Sequence, residues 1–321
     1  MGTRTAIRVA WALWALILAV MLTGVLLWAA SGFPPPSGSE SVAGAGATFL
    51  VLSWALTYLT FATIGGVVAT RRPHNPIGWL CILAGLMMAC SMLASEYANG
   101  SALAQPGSPP PGAAWVAWIG NLLAAWVVVI VPIILFFPDG KLPGRRWAVV
   151  LWAQAGTLLL ALLGLGLTPG PLSTAPTLQN PLGWASAGDA LAVVLGVATV
   201  GQLACTVVAA GALVMRLRRA RGDERQQFKW VASAASIWAL GLVAAVAAPT
   251  ELKVLAQFGQ FVTMAGLLGA VSIAVLKYRL YDVELVINRT LVYGSLAAMI
   301  TVVYVALVVG LGMVIGARGE P

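Results

Sequence analysis

Long apolar runs alternate with short polar connections along almost the whole chain. Each apolar run contains about 20 or more residues, which is the length that a helix needs to cross the hydrocarbon core of a bilayer. We predict about nine such spans, at about residues 8–30, 47–70, 78–98, 114–137, 148–168, 189–215, 230–248, 255–276 and 291–316. The pattern therefore predicts an all-α fold in which residues 1–321 form a single polytopic membrane domain.

The connection between the eighth and ninth predicted spans has a different pattern, because charged and apolar residues are interleaved in it. Its sequence is KYRLYDVELVINRTLVYG, residues 277–294. Each charge would cost roughly 2.5–3.5 kcal/mol at the bilayer centre, so this segment is not a span. Its apolar spacing fits a strand or a helix. We favour a helix in the headgroup layer over residues 277–290, since a lone strand there would leave its backbone groups unpaired.

Four residues of this segment are candidates for coupling the preceding spans to the C-terminal side: Arg279, Asp282, Asn288 and Arg289. A change in the packing of the first eight spans reaches the ninth span through this segment. Arg279 and Asp282 have an i, i+3 spacing, which stabilises a helix by roughly 0.2–0.5 kcal/mol. Asn288 precedes the ninth span and can cap its N-terminus. The alternative is a passive loop that only turns the chain.

Basic residues are strongly biased to one side of the predicted membrane. The chain has 9% charged residues and a formal net charge of +8, whereas about a quarter of a soluble domain is charged. When alternate loops are assigned to one side, every Lys and Arg except Lys253 and Arg318 falls on that side. The positive-inside rule then places the N-terminus in the cytoplasm. The basic composition thus follows from topology, so we expect a lipid bilayer as partner and no nucleic acid.

The densest basic run follows the sixth predicted span. Four of its residues are candidate contacts for anionic lipid headgroups: Arg216, Arg218, Arg219 and Arg221. Such headgroups attract a basic residue near the surface by about 1 kcal/mol. The alternative role is a topology anchor that keeps this loop in the cytoplasm. Either role fits a multi-pass protein of the cell membrane.

Ionisable residues are nearly absent from the predicted spans, and Glu96 and Asp189 lie at their outer ends. Ion-coupled transporters usually keep charged residues near the midplane, so the pattern argues against that class but leaves uncoupled passage of an apolar substrate open. Other polar residues inside the spans are Asn121, Gln154, Gln202, Gln257 and Gln260. We expect these to form hydrogen bonds between helices. The alternative is a ligand site at Gln257 and Gln260, which share one helix face.

Residue types that carry catalysis or bind metals are sparse. His74 is the only histidine, and we expect it in a solvated loop. Cys81, Cys90 and Cys205 all fall in apolar runs, where we expect buried, unreactive thiols. The sequence contains no phosphate-binding loop, nucleophile elbow or carboxylate pair. We therefore predict no catalytic residue, no metal ligand and no cofactor.

Local patterns also predict the shape of individual segments. Pro132 removes a backbone donor inside the fourth predicted span and predicts a kink there. The connection after the fifth span, to Gly188, is rich in Pro, Gly, Ser and Thr and predicts a polar loop. The pentapeptide NPIGW (75–79) recurs as NPLGW (180–184) on the opposite side. An inverted repeat would produce this echo, but shared turn chemistry explains it more simply.

Four polar segments, in their order between the apolar spans, resemble the N-terminal membrane region of actinobacterial-type sensor histidine kinases. They are RRPHNPIGW, FPDGKLPGRRW, RARGDERQQFKWV and LKYRLYDVELVINRTLVYG, within about residues 65–310. In that family the region receives the signal, and a further span, a linker, a phosphoacceptor helix and an ATP-binding domain follow. The chain contains no match to the family's phosphoacceptor histidine or ATP-binding glycine boxes.

The resemblance implies a non-catalytic signal-input region of a two-component sensor, truncated before the output domains. It implies as partners a second copy of the chain and a separate kinase or response-regulator chain. The alternative function is that of a small-molecule transporter or flippase-like protein.

Overall fold

A computed structural model of the chain describes residues 3–32, 45–100, 109–220, 222–247 and 252–277. The α-helices in these ranges are α1 (Thr3–Ala30), α2 (Ala45–Arg71), α3 (Pro76–Asn99), α4 (Ala113–Leu123), α5 (Ile130–Phe136), α6 (Ala148–Leu167), α7 (Gly188–Arg219), α8 (Gly222–Ala247) and α9 (Lys253–Lys277). About 84% of the structure is helical, so the all-α prediction is confirmed. The chain divides into two compact units, Met1–Val275 and Leu276–Pro321, and every contact described below lies within the first.

Seven helical segments of the described residues are long and apolar enough to cross a membrane. They are Arg4–Ala30, Gly46–Arg71, Pro76–Asn99, Ala113–Phe136, Arg145–Leu167, Ala185–Arg219 and Leu255–Leu276. Helix α8 covers the predicted span at about 230–248 but is not among them, and the predicted span at about 291–316 lies outside the described residues. The helical character is confirmed, and the seven apolar segments are consistent with a multi-pass membrane protein, whereas the count of nine spans and the cytoplasmic N-terminus stay predictions.

Helix α3 lies at the centre of the packing. In its most apolar stretch 56% of the residues are buried, against 11% in the span that contains α6. Where α2 crosses α3, a Cβ atom added at Gly65 would lie 2.7 Å from the backbone nitrogen of Ile82. A Cβ atom at Gly78 would lie 2.6 Å from the backbone nitrogen of Ala69. Small residues thus allow the close backbone approach from which membrane helices gain their packing energy.

The fourth predicted span is two helices, α4 and α5, separated by a 3-10 segment at Ala124–Val129. Within that segment Ala125 has φ −72° and ψ 15°, which is outside the helical range. Pro132 lies in the first turn of α5, where a missing N–H is tolerated. The kink therefore lies before Pro132 and not at it, because the proline ring disturbs the turn that precedes it.

The connection between α6 and α7 contains a β-hairpin where the sequence predicts a polar loop. Strand β1 (Pro171–Leu172) pairs antiparallel with β2 (Ala175–Gln179), with an irregularity in the register between Pro171 and Leu172. These strands are short, and proline removes donors from them, so they lack the alternating pattern by which a strand is recognised in a sequence. Leu172 and Ala175 are buried in a cluster with residues of α3 and α4.

Candidate functional site

Two connections, α2–α3 and the one after α5, meet residues of α7 and α8 at the end of the bundle where α3 begins and α5 ends. We name this region the basic junction and define it by Asn75, Pro76, residues 135–140, Arg216 and Phe228. Three of the four polar segments that carry the family resemblance contribute to it. The fourth lies almost wholly outside the described residues, and so do the candidate coupling residues Arg279, Asp282, Asn288 and Arg289.

Asn75 joins the start of α3 to the residues that follow α5. Its Oδ1 accepts a hydrogen bond of 3.0 Å from the backbone N–H of Ile77 and caps the helix. Its Nδ2 donates a hydrogen bond of 3.1 Å to the backbone carbonyl of Pro138. The side chain is buried, with 5% of its surface exposed. Both ends of the amide are therefore paired, as a buried polar group requires.

Gly140 makes the close approach of these two connections sterically feasible. Its φ of +75° lies in the left-handed region, which side chains other than glycine rarely adopt. A Cβ atom there would lie 2.9 Å from Cδ of Pro76 and 3.0 Å from Oδ1 of Asn75. Its backbone N–H donates a hydrogen bond of 2.7 Å to the carbonyl of Phe136, the last residue of α5. The turn therefore requires glycine for conformation and for space.

Arg216, near the C-terminal end of α7, binds the C-terminal end of α5. Its Nη1 donates hydrogen bonds to the carbonyls of Phe137 and, at 3.4 Å, Leu135. Carbonyls in the last turn of a helix have no partner inside the helix and attract a cation. Arg216 is also a candidate lipid contact, and that role stays a prediction beside these hydrogen bonds to protein carbonyls.

The other candidate lipid contacts differ from Arg216 in their surroundings. Arg218 and Arg219 are exposed to solvent at the end of α7. Arg221 lies outside the described residues. Binding of lipid headgroups by these residues stays a prediction.

Phe228 of α8 packs on Phe137, the residue that follows α5. Its ring meets that of Phe137 edge to face, with 5.5 Å between the centroids and 83° between the planes. The two rings are 1% and 2% exposed, respectively. Val271 and Val275, at the C-terminal end of α9, belong to the same buried apolar cluster. The helix that leads into the predicted coupling segment therefore packs on the cluster to which the basic junction contributes.

At the opposite end of the bundle, distant groups pair the last carbonyls of α6. The last four carbonyls of a helix have no N–H donor within the helix. Nδ2 of Asn121 donates to the carbonyl of Leu165 at 3.2 Å, and Nε1 of Trp118 donates to that of Gly166 at 2.9 Å. The backbone N–H of Trp184 donates to the carbonyl of Leu167 at 2.9 Å. Helix α4 thus holds the end of α6.

Asn180 repeats, at this end, the arrangement of Asn75. Its Oδ1 accepts a hydrogen bond of 3.0 Å from the backbone N–H of Leu182. Its Nδ2 donates to the carbonyls of Gly166 and Thr168, at 3.1 and 2.8 Å. The two pentapeptides share this local geometry, but Asn75 precedes a helix of 24 residues and Asn180 precedes a turn and a 3-10 helix of 3 residues. The shared feature is therefore local turn chemistry.

The tip of the hairpin, Ser173 and Thr174, inserts between α3 and α4. The carbonyl of Thr174 accepts two hydrogen bonds of 2.7 Å, from Oγ of Ser95 and from Nδ2 of Asn99. Oγ1 of Thr174 donates to the carbonyl of Ala117 at 3.0 Å. The carbonyl and the hydroxyl of Thr174 are thus both paired with residues of α3 or α4.

Ser173 reaches further along α4, where its Oγ donates to Oδ1 of Asn121. With a helical rise of 1.5 Å per residue, Asn121 lies about 12 Å from the first residue of α4. We name the surface that receives the tip the polar recess and define it by Ser95, Asn99, Ala117 and Asn121. Irregular backbone at such depth is tolerated where protein surrounds it.

Some of the other polar residues of the spans form the predicted hydrogen bonds between helices. Nε2 of Gln154 on α6 donates to Oε1 of Gln202 on α7 at 2.5 Å. Oε1 of Gln257 is buried without a partner among the described residues. The carbonyl of Gln260 accepts from its own helix, from Oγ1 of Thr263 at 2.9 Å. A ligand site at the two glutamines of α9 stays an untested alternative.

The histidine and the cysteines are not among the residues that define either region, although His74 directly precedes Asn75. His74 is exposed, Cys81 and Cys205 are buried, and Cys90 is half-buried. In the part of the chain that the structure describes, no group of three or more His, Cys, Asp and Glu residues is placed to hold a metal ion.

Sequence reasoning did not identify Asn75, Asn180 and Arg216 as residues that join distant segments. A signal for the first two was present, because asparagine before proline in a repeated pentapeptide favours a side chain that bonds to its own backbone two residues later. Which carbonyl the other end of each amide binds depends on tertiary packing and has no signature in the sequence. Comparisons of the chain with protein-family models, curated proteins and solved structures found no match.

Proposed function

We propose that the chain is the non-catalytic input region of a two-component sensor in the cell membrane, and that another chain or domain supplies the output. The observation that carries this proposal is the basic junction. Three segments that resemble the membrane region of sensor kinases contribute to one junction, although they lie far apart in the sequence. For loops that only reverse the chain, we expect solvent-exposed side chains and few buried contacts between them.

The junction lies where an input region would transmit a signal. Val271 and Val275 of α9 share its apolar cluster, and the predicted coupling segment at 277–290 follows α9 directly. A change in the packing of α3 or α5 therefore alters the surface on which α9 rests. For such a change to act as a signal, the helices must have two arrangements whose balance a stimulus shifts.

The topology that we propose has nine spans and a cytoplasmic N-terminus, as the distribution of Lys and Arg predicts. The basic junction then faces the cytoplasm, and the polar recess faces the outside. In this orientation a stimulus acts at the recess, and an output partner acts at the junction. Helix α3 connects the two, since Asn75 caps its start and its last residue is Asn99.

The proposal predicts that the DNA beside the gene for this chain encodes a kinase domain or a response regulator. The test is phosphoryl transfer by those proteins, measured with and without the full chain in lipid nanodiscs. We expect the chain to change the rate of transfer from kinase to response regulator. The Phe228→Ala variant should reduce that change, because it removes one ring of the Phe137–Phe228 pair. The matched control is Trp152→Ala, since Trp152 lies on α6 with 77% of its surface exposed.

An unchanged rate of phosphoryl transfer would contradict the proposal. Uptake of a small molecule by proteoliposomes that contain the chain would then favour the transporter alternative. Equal effects of the Phe228 and Trp152 variants would show that the junction has no role in transmission.

A further inference from the structure

We propose that the polar recess is a binding site for a short, neutral peptide that carries adjacent hydroxyl side chains, and that the hairpin tip is its internal occupant. The recess consists of Ser95 and Asn99 on α3 and of Ala117 and Asn121 on α4. This inference deepens the proposed function, on which it rests only for the role of the peptide as a stimulus. The binding itself does not depend on any output partner.

The hydrogen bonds of the tip define the chemistry of the ligand. The recess offers two donors to one backbone carbonyl, from Ser95 and Asn99. It offers two acceptors to two hydroxyl groups, at the carbonyl of Ala117 and at Oδ1 of Asn121. A pair of adjacent Ser or Thr residues in a turn, as at Ser173 and Thr174, presents this combination of groups. Each partner atom is a hydroxyl, amide or carbonyl group, so the recess suits a neutral ligand.

The residues on either side of the tip add a size requirement. Leu172 is 2% exposed and Ala175 is 0% exposed. They share a buried cluster with alanine side chains of α3 and α4, at positions 98, 113 and 117. These small side chains leave space for one larger apolar residue before the hydroxyl pair and for a small one after it. A peptide of the pattern Leu-Ser-Thr-Ala therefore fills the recess as the hairpin does.

The hairpin is suited to leave the recess because its own sheet stabilises it little. It has two strands of 2 and 5 residues, with an irregular register. An isolated two-stranded hairpin is marginally stable in water, and proline at Pro171 and Pro176 removes two backbone donors. The contacts with the recess thus hold the tip in place, and a ligand that makes the same contacts can replace it.

Release of the tip leaves the end of α6 paired. The carbonyls of Leu165 and Gly166 accept from Asn121 and Trp118 of α4, and Asn180 lies beyond the hairpin. None of these bonds involves Ser173 or Thr174. The hairpin tip can therefore move while the helices around the recess keep their packing, as a displaceable occupant requires.

The probe for the test is a fluorescent peptide with the sequence GPLSTAPTLQ, residues 170–179, acetylated and amidated at its ends. Its binding to the full chain in nanodiscs is measured by fluorescence anisotropy. The tethered tip competes at an effective concentration in the millimolar range, so the unmodified chain should bind the peptide weakly. The variant Ser173→Ala/Thr174→Val weakens the hold of the recess on the tip and should bind the peptide about 30-fold more tightly, as expected for the loss of two competing hydrogen bonds.

Two further measurements connect the binding to the recess. Adding Asn99→Ala to the weakened variant should lower the affinity several-fold, because Asn99 binds the carbonyl of the occupant and takes no part in the hydrogen bonds of Asn121 and Trp118 to the end of α6. A control peptide with Ala and Val in place of the adjacent Ser and Thr should bind at least several-fold more weakly.

Three outcomes would overturn the proposal: no binding to a weakened variant that remains folded and monodisperse, equal binding of both peptides, or no effect of Asn99→Ala. Because the assay contains no kinase or response regulator, its failure leaves the proposed input function standing. Conversely, peptide binding without any effect on phosphoryl transfer would contradict the proposed function alone.

Discussion

Nδ2 of Asn75 and the backbone carbonyl of Pro138 form a hydrogen bond of 3.1 Å across 63 residues of sequence. The same side chain caps α3 through the N–H of Ile77. One buried amide thus fixes the start of the central helix to the end of α5. Asn180 fixes a turn to the end of α6 in the same way. At each end of the bundle, one asparagine side chain therefore joins a local turn to the end of a distant helix.

The first prediction separates the two bonds of Asn75. Replacing it with Ala should lower the free energy of unfolding by about 2 kcal/mol, about 1 for the cap and about 1 for the bond to Pro138. Asn75→Ser is the matched control, because serine caps a helix but is too short to reach Pro138. It should lose about half as much. Thermal unfolding in nanodiscs measures both, and equal losses would show that the bond to Pro138 contributes nothing.

The second prediction concerns Gly140. Gly140→Ala should lower the free energy of unfolding by more than about 1 kcal/mol, because φ is +75° and the added Cβ would meet Pro76 and Asn75. Gly144 provides the control in the same loop. Its φ of 168° is extended and no atom lies within 4 Å of an added Cβ, so Gly144→Ala should be neutral. A neutral Gly140→Ala variant would mean that the two connections do not meet as described.

The apolar spans could be predicted from the sequence because the length of an apolar run is a local property. The basic junction and the polar recess could not be predicted in this way. Asn75 and Asn180 begin turn motifs that differ at one position of five, yet one precedes a long helix and the other a short turn. Ser173 and Thr174 read as loop residues, since their partners on α3 and α4 lie more than 50 residues away. Such pairings depend on how the spans pack against one another, and the periodicity of the sequence does not predict that packing.

The third prediction distinguishes two arginines of α7. Arg216→Gln should lower the free energy of unfolding by about 2 kcal/mol, because a charged donor to the carbonyls of Leu135 and Phe137 at the end of α5 is lost. Arg218→Gln should leave the stability unchanged within about 0.5 kcal/mol, since Arg218 is exposed. Native mass spectrometry with phosphatidylglycerol should show the reverse order, with less bound lipid in the Arg218 variant. Equal effects in both assays would contradict the separate roles.

The fourth prediction is the topology. Reporter fusions after Gly140 and after Arg221 should read as cytoplasmic, and a fusion after Ser173 should read as external. The physical reason is the accumulation of Lys and Arg in alternate loops, which are retained on the cytoplasmic side. A cytoplasmic signal from the fusion after Ser173 would reverse the orientation and would place the polar recess inside the cell.

The fifth prediction addresses the segment 277–290, which lies almost wholly outside the described residues. Its sequence predicts a helix in the headgroup layer, because residues 277–289 contain no Gly or Pro and apolar side chains recur among the charges. Single cysteines at each position from 277 to 289 can be labelled with a water-soluble maleimide, in a chain without its native cysteines. An interfacial helix requires protection of Leu280, Val283 and Ile287 and fast labelling at Arg279 and Asp282.

Two reference positions calibrate the labelling rates. A cysteine at Arg219, which is exposed, sets the fast limit, and a chain that retains only the buried Cys81 sets the slow limit. Because a helix turns by 3.6 residues, the protected positions should recur every three or four residues, whereas a strand would protect every second one. Labelling at the fast limit along all positions would identify a solvated loop. A loop of that kind transmits no change in packing from α9, so the coupling roles of Arg279, Asp282, Asn288 and Arg289 would then be wrong.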